Sequence, residues 1–235
     1  MKPVGIFRHY ATEGPGYLAA YLDRRALPWT LVKLDQGEPV PADPHAFAGL
    51  AFMGGPMSVN DPLPWIPPVL ALIRAAIAAD VPVLGHCLGG QLMSKALGGE
   101  VTRAPTKEIG WGMVNLENPN LARAWFGPQP AEFIVFQWHG ETFSIPPGAV
   151  RILSSQWCPN QAFSIGPHLG LQCHIEMTEE LVRTWCESGA KEIARSQSPA
   201  VQSVAAIVAD LGARLDGLHG VADTIYARWT AGLRS

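Results

Sequence analysis

The residues best placed to do chemistry lie together in Gly85-His86-Cys87-Leu88-Gly89-Gly90-Gln91, directly after the apolar run Val81-Pro82-Val83-Leu84. A buried strand there feeds a sharp turn, and the small residues two before and two after the cysteine give that turn room. A helix is expected from Gln91 to Leu97. Cys87 therefore stands at a helix N-terminus, where a thiol's pKa falls below its free value of about 8.5 and the reactive thiolate is favoured. The pattern is a nucleophile elbow carrying sulfur, suited to covalent attack on a carbonyl carbon.

Such a thiol needs a base, and the base needs a group to orient it. Leu169-Gly170-Leu171-Gln172-Cys173-His174-Ile175-Glu176 offers both. On a strand, residues two apart share a face, so the Glu176 carboxylate would hold the His174 imidazole in one tautomer. The third requirement is a pair of amide N–H groups aimed at a developing oxyanion. Gly54-Gly55-Pro56-Met57-Ser58-Val59 follows the apolar stretch Leu50 to Met53. The Gly55 N–H and the Leu88 N–H could converge there, each just beyond a strand end. His139 is the rival base. His86 adjoins the nucleophile but is expected to point away along the elbow.

These residues need a scaffold, and the first half of the chain alternates short apolar strands with helices. Strands are expected at Val4 to Phe7, Thr30 to Leu34, Leu50 to Met53 and Val81 to Leu84, with helices at Tyr17 to Arg25 and Pro68 to Ala79. This alternation specifies an α/β fold, an open and mostly parallel sheet with helices on both faces, and places Cys87 at a strand's C-terminal edge. Between Glu100 and Leu171 further strands are expected at Val101, Gly110 to Leu116, Phe133 to Phe136, Val150 to Leu153 and Ala162 to Ile165. Helix then takes over: Glu179 to Arg195, Ala200 to Leu215, and Val221 to Leu233 after a break at Gly217 and Gly220. The stripe Val201, Val204, Ala205, Val208, Leu211 and Leu215 reads as a core-facing side, with a partner interface as the sharper alternative. We divide the chain into a catalytic domain, 1–195, and a helical extension packed on it, 196–235.

Composition narrows the function. The 235 residues are 48 % apolar, enough for a sizeable core, and 17 basic and 20 acidic side chains are spread without blocks. A nucleic-acid or membrane partner is not expected. The N-terminal apolar run is too short for a signal peptide, which points to the cytoplasm. Cys87, Cys158, Cys173 and Cys186 have no Cys-x-x-Cys spacing, and all but Cys87 read as packing residues. His-x-Glu also occurs in zinc deaminases, but the Pro-Cys-x-x-Cys that completes that metal site is missing, and no metal site is expected.

Taken in order, Gly-Gly-Pro-x-Ser-Val, Gly-x-Cys-x-Gly-x-Gln and the late His-x-Glu resemble the class I glutamine amidotransferases, most closely the glutaminase domain of GMP synthase. The resemblance covers about the first four-fifths of the chain and implies a flavodoxin-like fold with added C-terminal helices. By matched position it implies that Cys87, His174 and Glu176 form a triad that makes a γ-glutamyl thioester, with Gly55 and Leu88 as the oxyanion hole. Gln91 and Gly140, the latter in Gln137-Trp138-His139-Gly140-Glu141, would hold the substrate. No cofactor is implied. Two departures stand out: Gln172-Cys173-His174-Ile175-Glu176 replaces the family's Gln-Phe-His-Pro-Glu, and Trp138 stands where relatives carry a small polar residue. Trp138 could reshape the pocket for a γ-glutamyl compound other than glutamine. No synthase part is expected, so the ammonia either passes to a synthase partner or is not used. The alternatives are a stand-alone γ-glutamyl peptide hydrolase and a regulatory or binding protein that keeps the fold.

Overall fold

The computed structural model describes residues 1–234. Strands β1 (Val4–Arg8), β2 (Trp29–Lys33), β3 (Gly49–Phe52) and β4 (Val83–His86) are followed by β5 (Val101–Leu116), β6 (Glu132–Phe143), β7 (Val150–Ser154), β8 (Ala162–Ile165) and β9 (His168–Leu171). Together they make one nine-stranded sheet in the order β2-β1-β3-β4-β9-β8-β7-β5-β6. Pairing is parallel from β2 through β9 and antiparallel from β9 to β6. The inner parallel strands β1, β3 and β4 are buried on both faces almost throughout, as crossover connections require, whereas the edge strand β2 buries only Val32.

Side-chain alternation divides the core into two layers. Leu50 and Phe52 point to the side covered by α2 (Ile66–Ala78) and α3 (Leu88–Ala96), where they meet Val69, Ile73 and Leu92. Ile6 and Ala51 point to the opposite side, covered by α1 (Gly16–Arg24), α4 (Pro119–Phe126), α5 (Glu179–Ser188) and α8 (Leu211–Ala231). There Leu18, Leu22, Trp125, Ile225 and Trp229 are sealed from solvent. Each fully buried side chain of this size contributes about 1.5–3 kcal/mol relative to exposure. The Trp125 indole N–H is not wasted, because it donates to Ser164 Oγ at 2.8 Å.

Three local expectations need correction. The helix expected from Glu179 to Arg195 is two, because Gly189 interrupts it before α6 (Ala190–Arg195). That expected from Ala200 to Leu215 is broken as well: α7 (Val204–Val208) ends early, and Asp210 adopts φ 51° before α8 begins. The proposed stripe is thereby split; Leu211 and Leu215 are buried, Ile207 joins them, and Ala205 is exposed. Conversely, α8 runs unbroken through Gly217 and Gly220. Both glycines face open space, so they cost conformational entropy without creating a clash, while Val221, Ile225 and Trp229 hold the helix down. Helix α4 was not anticipated between the strands of the middle region.

Candidate active site

Strand β4 delivers Cys87 in a backbone conformation that L-residues rarely adopt, φ 48° and ψ −103°, at the N-cap of α3. Strain of this kind costs on the order of 1–3 kcal/mol and persists only where the surroundings enforce it. They do so here: a side chain on Gly85 would start 2.5 Å from the Gly89 carbonyl carbon, and one on Gly89 would overlap the Phe52 carbonyl oxygen. Strand, turn and helix therefore close more tightly than any larger residue allows, and the thiol is presented by the backbone. Gln172 Nε2 lies 3.5 Å from the Cys87 sulfur, and the thiol lies 3.8 Å from the Trp138 carbonyl oxygen.

His174 and Glu176 arrive from the segment after β9, but not on a strand. Pairing stops at Leu171, and His174 is held by reciprocal backbone hydrogen bonds with Phe136 of β6, at 2.8 and 3.3 Å. The side chains nonetheless meet: His174 Nδ1 is 2.6 Å from Glu176 Oε1. The Ile175 N–H donates to the other carboxylate oxygen at 2.9 Å, so Glu176 is fixed at both oxygens. Burial alone would raise the Glu176 pKa, but the His86 and His174 rings and the hydrogen bond from His174 outweigh it and bring the carboxyl down to about 2. For His174, burial would lower the pKa. The opposing charges of Glu176 and Cys87 prevail and raise it well above the ordinary value. With Nδ1 committed to the carboxylate, Nε2 is left without a hydrogen-bond partner among the described residues.

His86 does point away from the sulfur, and it does so into the back of this pair. Its Nε2 lies 3.8 Å from Glu176 Oε2 and 3.3 Å from the Tyr226 hydroxyl of α8. Burial keeps the ring below its ordinary pKa. His139 is engaged elsewhere, with Nδ1 3.0 Å from the Glu141 carbonyl oxygen and Nε2 3.2 Å from Glu108 Oε2.

Cys87, His174, Gly55, Gln91, Trp138 and Gly140 all line one cavity of about 720 Å³. Glu176 lies behind His174. Leu88 lies beside Gly55: a side chain on Gly55 would start 2.7 Å from Leu88 Cδ2, so the two loops expected to supply oxyanion donors are in contact. Gln91 Nε2 reaches the Glu141 carbonyl oxygen at 3.4 Å and Gln172 Oε1 at 3.3 Å. The Trp138 indole packs edge-on against Trp185, and its N–H donates to Glu192 at 3.1 Å, so it forms the rim facing α5 and α6.

Several wall residues had no sequence signal. Glu13, Lys107 and Trp185 reach the cavity from other elements, and Trp185 packs edge-on to the His174 ring at 4.9 Å. Behind the wall, Glu108, His139 and Cys158 bring donor atoms within 4.8 Å of one another, a group able to hold a metal ion that the spacing of these residues did not suggest. The Glu108 carboxylate already accepts from Gln161 at 2.9 Å and Ser155 at 3.2 Å. As it stands, the group is a buried polar cluster behind the His139-Gly140 stretch of β6.

The model of the family described as glutamine amidotransferase class-I matches residues 17–184 of this chain, which hold the elbow, the glycine loop and the His174–Glu176 pair. The chain belongs to the class I glutamine amidotransferase family. A glutamine amidotransferase from Methylobacillus flagellatus superposes with a TM-score of 0.97 at 47 % identity, covering 100 % of this chain and 96 % of that one. The glutamine amidotransferase-like protein YfeJ of Salmonella typhimurium is 29 % identical over 195 residues, 80 % of this chain and 82 % of its own length. The glutamine-hydrolysing GMP synthase of Geobacillus kaustophilus is 34 % identical over 132 residues, 55 % of this chain but 24 % of that protein. Class I glutamine amidotransferases are enzymes that act on the amide of glutamine, and the fold of this chain is theirs. No helix among the described residues is long and apolar enough to cross a membrane.

Proposed function

We propose that this class I amidotransferase hydrolyses the amide of a γ-glutamyl group through a thioester on Cys87, with glutamine as the simplest substrate. The observation that carries this reading is the strained Cys87 opening into the same cavity as a histidine whose Nδ1 is held 2.6 Å from a buried carboxylate. The Cys87 thiolate attacks the γ-carbonyl carbon, and the negative charge moves onto oxygen between the Gly55 and Leu88 N–H groups. The C–N bond breaks as protonated His174 Nε2 gives its proton to the departing nitrogen, leaving a γ-glutamyl thioester and an amine, which is ammonia when glutamine is the substrate. A water then loses a proton to His174 and attacks the thioester, the C–S bond breaks, and glutamate leaves. Glu176 stabilises the imidazolium throughout.

Gln91, Trp138 and Gly140 form the wall for the glutamate half in this reading, and residues 196–234 are a helical extension of the same domain, position 235 lying outside the described residues. The ammonia-using partner implied by likeness to GMP synthase belongs to the same proposal. A second reading, hydrolysis of larger γ-glutamyl compounds, has its own support: 720 Å³ is roomier than a single amino acid requires.

The test is glutamate release from glutamine and from a panel of γ-glutamyl peptides, each beside a Cys87→Ala control. Cys87-dependent turnover is expected. Faster cleavage of peptides would select the stand-alone hydrolase, whereas slow turnover of glutamine alone would select the partner-dependent one. Release that survives in Cys87→Ala would overturn the mechanism.

A further inference from the structure

Glu13 has no role in the scheme above, yet it occupies a distinctive place. It sits in the connection between β1 and α1, which is clamped over the cavity from two sides. Trp185 Nε1 of α5 donates to the Thr12 carbonyl oxygen at 2.8 Å, and the Tyr17 N–H donates to the Glu176 carbonyl oxygen at 2.8 Å. Gly16, at φ 48°, lies so near that same carbonyl oxygen that a side chain would overlap it. The connection is thus tied directly to the segment that carries His174 and Glu176.

The clamp points the Glu13 carboxylate into the cavity, where it has no hydrogen-bond or ion-pair partner among the described residues. Its position relative to His174 follows from Gly54. The point where a side chain on Gly54 would begin is 2.7 Å from Glu13 Oε2 and 3.1 Å from His174 Cε1, so the bare glycine lets the carboxyl and the edge of the imidazole share that space. Cε1 is bonded to Nε2, the ring nitrogen left to protonate a departing amine. Cε1 is bonded to Nδ1 as well, so the Glu13 carboxyl stands at the ring edge between the two nitrogens, on the cavity side of the imidazole.

The other charged side chains of the cavity wall are differently disposed. Lys107 is paired with Glu192, Glu141 accepts from the Ser58 hydroxyl at 3.1 Å, and Arg103 is an exposed cation with no ion pair among the described residues. Burial, the largest influence on Glu13, raises its carboxyl to about 8. A cation brought to it by the substrate would favour its charged form and pair with it.

We propose that Glu13 recognises the leaving group, and that the preferred substrate is a γ-glutamyl amide whose amine half carries a second, positively charged nitrogen. The substrate class is then the mono-γ-glutamyl diamines. The reaction is the hydrolysis already described, with the diamine leaving in place of ammonia: the C–N bond breaks, one water is consumed, and glutamate and the free diamine are formed. The inference rests on the thioester reading for turnover but not for binding.

The experiment is therefore calorimetric titration of the full chain bearing Cys87→Ala with two ligands. One is the mono-γ-glutamyl amide of a four-carbon diamine, and the other is the γ-glutamyl amide of pentylamine, of equal length without the charge. The diamine compound is expected to bind about tenfold more tightly, the scale of one charge-assisted hydrogen bond. Adding Glu13→Gln should erase that preference while leaving the pentylamine compound's affinity unchanged. Raising the ionic strength on the unsubstituted Glu13 background gives a second reading, because the preference should shrink with salt. Equal affinities, a preference that survives Glu13→Gln, or no binding of either amide would overturn the proposal. Glu13-dependent binding without cleavage by the Cys87 enzyme would instead leave recognition standing and remove the hydrolytic reading.

Discussion

The parallel and antiparallel halves of the sheet contribute different things to one cavity. The parallel half supplies turns at strand ends: β4 ends in the strained Cys87, β3 leads into the Gly54-Gly55 loop, and β9 leads into His174 and Glu176. Each is locked by close backbone packing, as the approach of Gly85 to Gly89 shows. The antiparallel half supplies a wall. Strands β5 and β6 form a long hairpin whose register shifts between Arg103 and Glu108, and its face toward Cys87 carries Lys107, Trp138 and Gly140. The groups read as reactive thus follow short strand ends, where displacement is costly, and shape-determining groups stand on the β5–β6 pair, whose irregular stretch between Arg103 and Glu108 is separate in register from Phe136, the residue that pins His174.

If this division is right, substitutions in the parallel half should act on turnover and those in the antiparallel half on selectivity. The largest effect belongs to His174→Ala, which should lower kcat at least a thousandfold and also lower the thermal midpoint, because the buried Glu176 carboxylate loses its nearest partner. Activity within tenfold of the unsubstituted chain would break the comparison. Glu176→Gln comes next, with a loss of roughly a hundredfold or more and a distinct stability signature. The folded-state pKa of Glu176 is about 2, below its ordinary 4.5, so its ionisation supports the folded state above about 4.5 and that support disappears as pH falls toward 2. Denaturant midpoints from pH 5 to pH 2 should therefore fall more gently in Glu176→Gln than in the native chain, and parallel curves would contradict the pairing.

Trp138→Ser should shift KM severalfold, in opposite directions for glutamine and for a larger γ-glutamyl amide, while kcat for each stays within about threefold. Equal effects on both substrates would mean that the hairpin does not sort them. Cys173→Ala is the smallest change. Cys173 is fully buried, and burial pushes its thiol out of the range of a reactive thiolate, so activity should persist with a loss of about 1–2 kcal/mol in unfolding free energy. Inactivation by this substitution would require a second sulfur in the chemistry.

Much of the fold and the central residues of the site could be read from the sequence because their signals are local. Cys87 declares itself through glycines within three positions of it, and strands such as Ala162–Ile165 are short apolar runs with clear punctuation. The meeting of His174 with Glu176 was anticipated from strand alternation, yet it is achieved by a bent segment pinned to Phe136. The proximity was right, and its geometric cause was different. Asp210 could not be foreseen as a helix break, because neither it nor its neighbours Ala209 and Leu211 is the glycine or proline that signals one. Glu13, Trp185 and the Glu108–His139–Cys158 group were invisible for the same reason: nothing in their neighbouring residues encodes the tertiary approach that brings them together.

The contact between Tyr226 and His86 joins residues 140 positions apart in the chain and places α8 against the ring that flanks Glu176. During synthesis, the elbow, the glycine loop and the His174 segment all emerge before that helix does. A nascent chain therefore holds Cys87, His86 and Glu176 for some time before α8 can cover the back of the His86–Glu176 pair. The last long helix thus completes the burial of a pair whose members emerge well before it.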